Sequence, residues 1–292
     1  MLGSLSSTGF LIAEVKQGLR QLGWQEGNQI EFVFASPDGR PERMDAAARE
    51  LVEKRVDVIV VASTPLVRAA QKATQSIPIV MAYTANPVES GLVASLARPD
   101  RNTTGIANQA DAVFGKAIEA LNAVAPRAKR VAILVNESSV LHAPLWDVAR
   151  KACAALSLTS IRVTANAPDG LEPAFAQIAR DRAQAVAVAI DGMFLQERAT
   201  IAKLTQREKL PSAYGVREHV VAGGLLSYAA NIAQSFRAAS VYVDKILKGV
   251  KPSDLPVQQA AKFELVINLK TAKALGLRIP QAVLVRADEV IQ

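Results

Sequence analysis

The chain has 292 residues, enough for two ordinary domains or one large one; half are hydrophobic and only 5% aromatic. Its formal charge of +7 is spread among nearby acids, as in Arg40-Pro41-Glu42-Arg43 and Glu50-Leu51-Val52-Glu53-Lys54-Arg55, with no Lys/Arg run interleaved with aromatics; that favours a solvated mixed surface over a nucleic-acid groove. Cys153 is the single cysteine, so no intrachain disulfide can form, and no apolar run is long enough to span a bilayer.

Strand-like and helix-like segments alternate along the chain. Met1–Leu5 reads as a first strand, running into Ser6-Ser7-Thr8, and Leu11, Val15, Leu19 and Leu22 mark one face of a helix that Gly23 caps. Ile30–Phe34 reads as a strand, and Met44, Ala48, Leu51 and Val52 as the next helix face. Val56–Ala62 is a near-continuous apolar run, as in a central parallel strand, and it runs into Ser63-Thr64-Pro65, with Thr64 as N-cap and Pro65 at the first helical position. Ile77–Tyr83 runs into Asn86-Pro87-Val88-Glu89, which has the spacing of a capping box. Thr103–Asn108 is a short strand.

A second series follows. A helix carries Phe114, Ala117, Ile118 and Leu121, then strand Arg130–Val135 meets Asn136. Helix Pro144–Leu156, strand Ser160–Thr164 and helix Glu172–Asp181 lead to strand Ala185–Ile190, which meets Asp191. A helix around Glu197–Glu208, strands Ser212–Tyr214 and Leu225–Tyr228, and a long helix Ile232–Lys248 come next; strand Phe263–Ile267 and helix Leu269–Leu275 end the series. Two βα series of domain length predict two doubly wound α/β lobes with parallel sheets, with crossovers near Asn108, Tyr228 and Gln258. The expected division is 1–107 with 231–258, and 108–230 with 259–292.

In a parallel sheet the strand-to-helix junctions gather outside the carboxyl ends of the strands, where free N–H groups favour anions and carboxylates. The candidate ligand residues are therefore Ser6, Ser7, Thr64, Asn86, Asn136 and Asp191, with Phe194, Tyr214 and Tyr228 at or just past strand ends as partners for a half-apolar solute. Helix capping alone also accounts for Thr64 and Asn86, and core or hinge packing for the aromatics. Enzyme chemistry is scarce. The chain has no Gly-x-Gly-x-x-Gly, Walker A or Gly-x-Ser-x-Gly motif and no zinc-ligand spacing; no acid–base pair stands out. Of the two histidines, His142 reads as a solvated loop residue and His219 as a partner of Glu218 or water. The expectation is no catalytic residue, no metal and no cofactor.

The stretch Leu255-Pro256-Val257-Gln258-Gln259 through Lys262-Phe263-Glu264-Leu265-Val266-Ile267-Asn268-Leu269-Lys270-Thr271-Ala272-Lys273-Ala274-Leu275-Gly276-Leu277 resembles the ABC-transporter substrate-binding proteins of the tryptophan/tyrosine-type group. Gly23-Trp24 with Glu26-Gly27-Asn28, Gly91-Leu92-Val93-Ala94-Ser95-Leu96, Asn102-Thr103-Thr104-Gly105 and Ala222-Gly223-Gly224-Leu225-Leu226-Ser227-Tyr228 agree with it, so the likeness runs over essentially the whole chain. It implies a type I periplasmic binding protein-like fold whose lobes, joined by a three-segment hinge, close on a small polar or aromatic solute, an amino acid or aromatic acid. It further implies a secreted protein, periplasmic or lipid-anchored, its signal peptide absent here, whose partner is an ABC permease; the expected state is a monomer. The Ser6–Ser7, Thr64 and Thr84–Asn86 loops would line one side of the cleft, and Asn136, Asp191, Tyr214 and Tyr228 the other side and the hinge. Gly192 stands where Pro often follows the Asp in this group, and Ala229 where Gly is common; both positions border the pocket or hinge. Two other classes share such a sequence pattern: the effector domain of a transcription regulator, and an α/β isomerase or racemase. No helix-turn-helix pattern precedes the first strand, and the acid–base pair of the enzyme reading is missing.

Overall fold

A computed structural model describes residues 2–5, 11–38, 40–108, 110–139, 142–260 and 263–292, with the backbone alone for 2–5 and 110–112. The chain forms two compact units, Met1–Gln109 with Ile232–Ala261, and Ala110–Asn231 with Lys262–Gln292. The first unit runs β1 (Leu2–Leu5), α1 (Ile12–Gln21), β2 (Phe32–Ala35), α2 (Met44–Glu53), β3 (Val58–Ala62), α3 (Thr64–Ala73), β4 (Ile79–Ala85) and β5 (Thr103–Asn108). The second unit follows with α4 (Ala110–Val124), β6 (Arg130–Val135), α5 (His142–Ala155), β7 (Thr159–Thr164), α6 (Leu171–Arg180), β8 (Ala185–Val188), α7 (Gly192–Gln196), α8 (Arg198–Arg207), β9 (Ser212–Tyr214), α9 (Arg217–Val221) and β10 (Leu226–Ala230). The chain then returns to unit 1 for α10 (Ile232–Leu247) and β11 (Gln258–Gln259). It ends in unit 2 with β12 (Phe263–Asn268), α11 (Leu269–Ala274), α12 (Gln281–Leu284) and β13 (Glu289–Ile291).

Each unit wraps one sheet. In unit 1 the order is β11-β5-β4-β3-β1-β2, and all its strand pairs are parallel. The residues of β3 and β4 are apolar on both faces because helices cover both: α2 and α3 pack on one side, and α1 with α10 on the other. Ile59, Val61, Leu66, Val67, Ile79 and Met81 form the core with Ala48 and Leu51 of α2. Burying each of these large side chains contributes about 1.5–3 kcal/mol. On the opposite face Gly18 of α1 lets Ser240 of α10 approach so closely that a Cβ there would lie 2.2 Å from the serine hydroxyl. Trp24 Nε1 donates to Asp244 Oδ1 at 2.9 Å, and Arg237 Nε to Glu14 Oε2 at 3.0 Å, fixing the same helix pair.

Unit 2 has the order β13-β12-β10-β9-β8-β6-β7. Its first five strands repeat the plan of unit 1: β7-β6-β8-β9-β10 corresponds to β2-β1-β3-β4-β5, so each unit has a topological switch point, between β1 and β3 or between β6 and β8. The sheet is parallel as expected except at one pair. β12 runs antiparallel to β10, with Leu226 opposite Ile267 and Ala230 opposite Phe263, and β13 pairs in parallel with β12. The chain enters β12 at the carboxyl end of β10, which no strand pattern in isolation reveals. The short α9 and α12 and strand β13 are likewise too brief to show a periodic pattern.

The end of β4 is irregular. Its register slips against β3 after Val61 and against β5 between Met81 and Thr84. The bulge is matched by Gly105 on β5, at φ +130°, where a Cβ would lie 2.1 Å from the Met81 carbonyl oxygen. The bulge redirects the last residues of β4 at the carboxyl edge of the sheet.

Candidate functional site

At the carboxyl edge of unit 1, Ser6 and Ser7 lie outside the described residues. Thr64 is not the cap expected from sequence. Ser63 precedes the helix at φ 77°, ψ 145°, and Thr64 is the first helical residue. The Thr64 side chain is used differently, its Oγ1 donating to the Ala85 carbonyl at 3.2 Å, which ties the start of α3 to the end of β4. A non-glycine residue in the conformation of Ser63 costs on the order of 1–3 kcal/mol and persists only when its surroundings impose it. Here Ser63 N–H donates to the Tyr83 carbonyl at 3.1 Å, and its own carbonyl receives Val67 N–H. Asn86 also has positive φ, 42°, and the capping-box pattern after it makes a single turn, closed by Ser90 N–H on the Asn86 carbonyl, instead of a helix. Pro87 satisfies a turn as well as a first helical turn, so the sequence signal was ambiguous. Thr84 is fully buried, and its hydroxyl has no hydrogen-bond partner among the described residues.

Unit 2 gathers Asn136, His142 and Asp191 at its switch point, on the loops after β6 and β8 and the first turn of α5. Asp191 Oδ1 caps α7, accepting from Met193 N–H at 2.9 Å and Phe194 N–H at 3.3 Å. Its Oδ2 lies 3.4 Å from Asn136 Nδ2 and 3.7 Å from His142 Nε2. Asn136 is fixed in turn: its N–H donates to His142 Nδ1 at 2.7 Å, and its Oδ1 accepts from Ser138 N–H at 3.0 Å. Because Nδ1 accepts, the imidazole proton sits on Nε2, which donates to the Ile190 carbonyl at 3.1 Å. His142 is 1% exposed, so the solvated loop histidine expected from sequence is a buried strut. Burial lowers its pKa, against the raising effect of the Asp191 carboxylate. The Asp191 side chain keeps 11% of its surface accessible, and Oδ2 retains acceptor capacity for a further donor.

The remaining candidates are placed deeper. Phe194 and Tyr214 are fully enclosed in the unit 2 core with Leu134, Val188 and Val220, so neither ring offers surface at the edge. Tyr214 stacks on His219, ring centroids 4.7 Å apart, and its hydroxyl lies 3.4 Å from Thr205 Oγ1. His219 Nε2 donates to the Phe194 carbonyl at 3.0 Å. The histidine expected to meet Glu218 or water thus holds up the helix that Asp191 caps. Tyr228 is half-buried against Phe263 and lines a cavity of about 80 Å³ with Lys116, Ala120, Ala123, Val283 and Arg286. The sequence offered no direct sign of either strut, since a lone histidine in an apolar stretch has many readings. Among the described residues no group of three or more His, Cys, Asp or Glu could hold a metal, and Cys153 is buried.

His219 makes acid stability measurable. Burial pushes its pKa down to about 3. The folded value lies below the unfolded one, so the stability contributed by the neutral ring is complete above about pH 6.5 and is lost as pH falls from there toward 3. Between pH 6.5 and 5 the wild type is expected to lose about 1.5–2 kcal/mol more than His219→Gln in urea unfolding. Parallel pH dependences of the two proteins would show that His219 is not buried neutral.

The two units, each doubly wound with polar loops at its carboxyl edge, form a type I periplasmic binding protein-like fold. A family model for ABC transporter substrate binding proteins matches residues 9–291, and the chain belongs to that family. A tyrosine-binding protein of Clostridioides difficile (strain R20291) is 25% identical over 266 residues, covering 90% of this chain and 75% of that protein. An ABC domain from Streptococcus pneumoniae, solved in complex with L-Trp, has a TM-score of 0.90 at 24% identity, with 99% of each chain covered. A conserved domain protein from Vibrio cholerae has a TM-score of 0.90 at 27% identity, covering 99% of this chain and 98% of that one.

Proposed function

We propose that this protein is the extracytoplasmic solute-binding component of an ABC importer, that it takes an aromatic amino acid, and that it performs no chemistry on it. The observation that carries the solute class is the Asp191 carboxylate. It is fixed by two backbone donors and by Asn136, yet one oxygen remains able to receive an ammonium. A carboxylate held rigid before the ligand arrives loses little entropy on binding. The fully buried Thr84 hydroxyl without a partner, beside the strained Ser63 and Asn86 turns, is the corresponding feature of unit 1 and suits a polar head such as the solute carboxylate. Binding proteins for tyrosine and for L-Trp among the relatives support the same class. In this reading the solute draws loops of both units together, a membrane permease recognises the closed form, and the protein works as a monomer in the periplasm.

The test is a thermal-shift series with L-tyrosine, L-tryptophan and L-phenylalanine beside sugars and divalent cations, followed by small-angle scattering. At a concentration of about 100 times Kd an aromatic amino acid is expected to stabilise the fold by about 2.7 kcal/mol. The radius of gyration should shrink with it. Stabilisation by sugars alone, or an unchanged scattering profile at saturation, would refute this reading.

A further inference from the structure

We propose that the amino-terminal edge of the unit 2 sheet, opposite the Asn136–Asp191 edge, is a docking surface for an anionic phospholipid bilayer. Along the sequence the basic residues read as evenly mixed with acids, but the fold sorts them. The loops that enter β6, β8 and β9, with the segment after α11, bring Arg127, Lys129, Arg180, Arg182, Lys209 and Arg278 to one edge, all exposed. Among the described residues none of these six makes an ion pair. The acids on that edge are Asp181, whose carboxylate accepts from Gln177, and Glu208, which is spent on Arg207.

Helix dipoles favour cations where helices end, and this edge collects helix ends. The same holds for the amino edge of the unit 1 sheet, where Lys54 pairs with Glu50, Lys72 with Asp45 and Lys248 with Asp244, while Arg20, Arg55, Lys245 and Lys251 make no ion pair among the described residues. The dipole accounts for cations on both edges; what sets the unit 2 edge apart is that none of its six cations is paired among the described residues and that they surround an apolar depression. Between the unpaired cations lies an open depression of about 470 Å³ lined by Val124, Pro126, Pro211 and Leu277, with Arg127 and Arg278 among its walls. Cations distributed over several loops match a broad anionic surface better than one small anion, and the apolar depression can receive part of a lipid that a purely charged partner would leave empty. These loops carry no aromatic residue, so bases would find no stacking platform.

The experiment is co-sedimentation of the full chain with vesicles of phosphatidylcholine alone and of phosphatidylcholine mixed with phosphatidylglycerol, at low and high salt. Binding is expected only to the mixed vesicles and only at low salt. The variant Arg127→Gln/Lys129→Gln/Arg180→Gln/Arg278→Gln should bind at least about tenfold more weakly. The control Arg20→Gln/Arg49→Gln/Arg98→Gln/Lys251→Gln carries the same net charge and should bind as the wild type does. Circular dichroism confirms the fold of both, and retention of amino-acid thermal shifts would separate this surface from the solute site. Equal binding to both vesicle types, an equal loss in both variants, or binding to polyglutamate or RNA without binding to vesicles would overturn the proposal.

Discussion

Gly105→Ala is expected to destabilise unit 1 by about 3–5 kcal/mol, the sum of a left-handed backbone forced on a residue with a Cβ and of overpacking. The Cβ would meet the backbone of Met81, 2.1 Å from its carbonyl oxygen and 2.6 Å from its nitrogen. Backbone in a central strand cannot turn aside as a flexible side chain would, so the β4–β5 ladder has to open where the β4 bulge begins. Gly249→Ala separates the two contributions. Gly249 has φ 95°, and a Cβ there meets nothing within 4 Å, so only the conformational cost of about 1–2 kcal/mol applies. Urea unfolding followed by circular dichroism distinguishes them. Equal losses for the two variants would mean that the close approach to Met81 is not rigid.

The alternation of βα units was legible because long apolar runs such as Val58–Ala62 and the stripes Val15, Leu19 and Leu171, Phe175, Ile178 repeat with the periods of strand and helix. The parallel direction of most strands was legible from that alternation, but strand order and the reversal of β12 were not. β12 reads like any other strand and turns antiparallel only because of where the chain re-enters the sheet. The junction residues Thr64, Asn136 and Asp191 stand out in the sequence by their place after a strand, where polar residues can serve the free ends of a helix, though of the three only Asp191 does so. What they bond to was hidden. Thr64 donates across to β4, and the Asn136 N–H donates to the ring of His142 six residues further along, contacts set by the path of loops without periodicity. Tyr214 ends β9 as expected, whereas Phe194 lies inside α7, and which way the Tyr214 ring turns depends on neighbours it meets only in the fold, here His219 and Thr205. The basic face of unit 2 was hidden for the same reason, since pairing in space is not pairing along the chain.

Asp191→Asn is expected to weaken binding of L-tyrosine or L-tryptophan by about 2–5 kcal/mol, the cost of removing one partner from a desolvated charge pair. The substitution separates the two duties of this side chain. Asn keeps an oxygen for the Met193 and Phe194 N–H groups and caps helices as well as Asp does, so α7 and the packing of Phe194 should survive. The other oxygen becomes an amide facing Asn136 Nδ2 and His142 Nε2, all donors, and the negative charge for a ligand ammonium is gone. Removing that charge also takes away the larger of the two influences that raise the His142 pKa, leaving only the hydrogen bond to Ile190 against burial, so this histidine should titrate at still lower pH. Asp57→Asn, beside the amino end of β3 in unit 1, serves as the control and should leave affinity unchanged. Titration calorimetry with each amino acid reads the affinity, and circular dichroism confirms the fold. Unchanged affinity in Asp191→Asn would reduce Asp191 to a helix cap and direct the search to a neutral or anionic solute. A folded Asp191→Asn protein that loses the aromatic amino acids, while an analogue lacking the amino group binds it and the wild type equally, would place the ligand ammonium at this carboxylate.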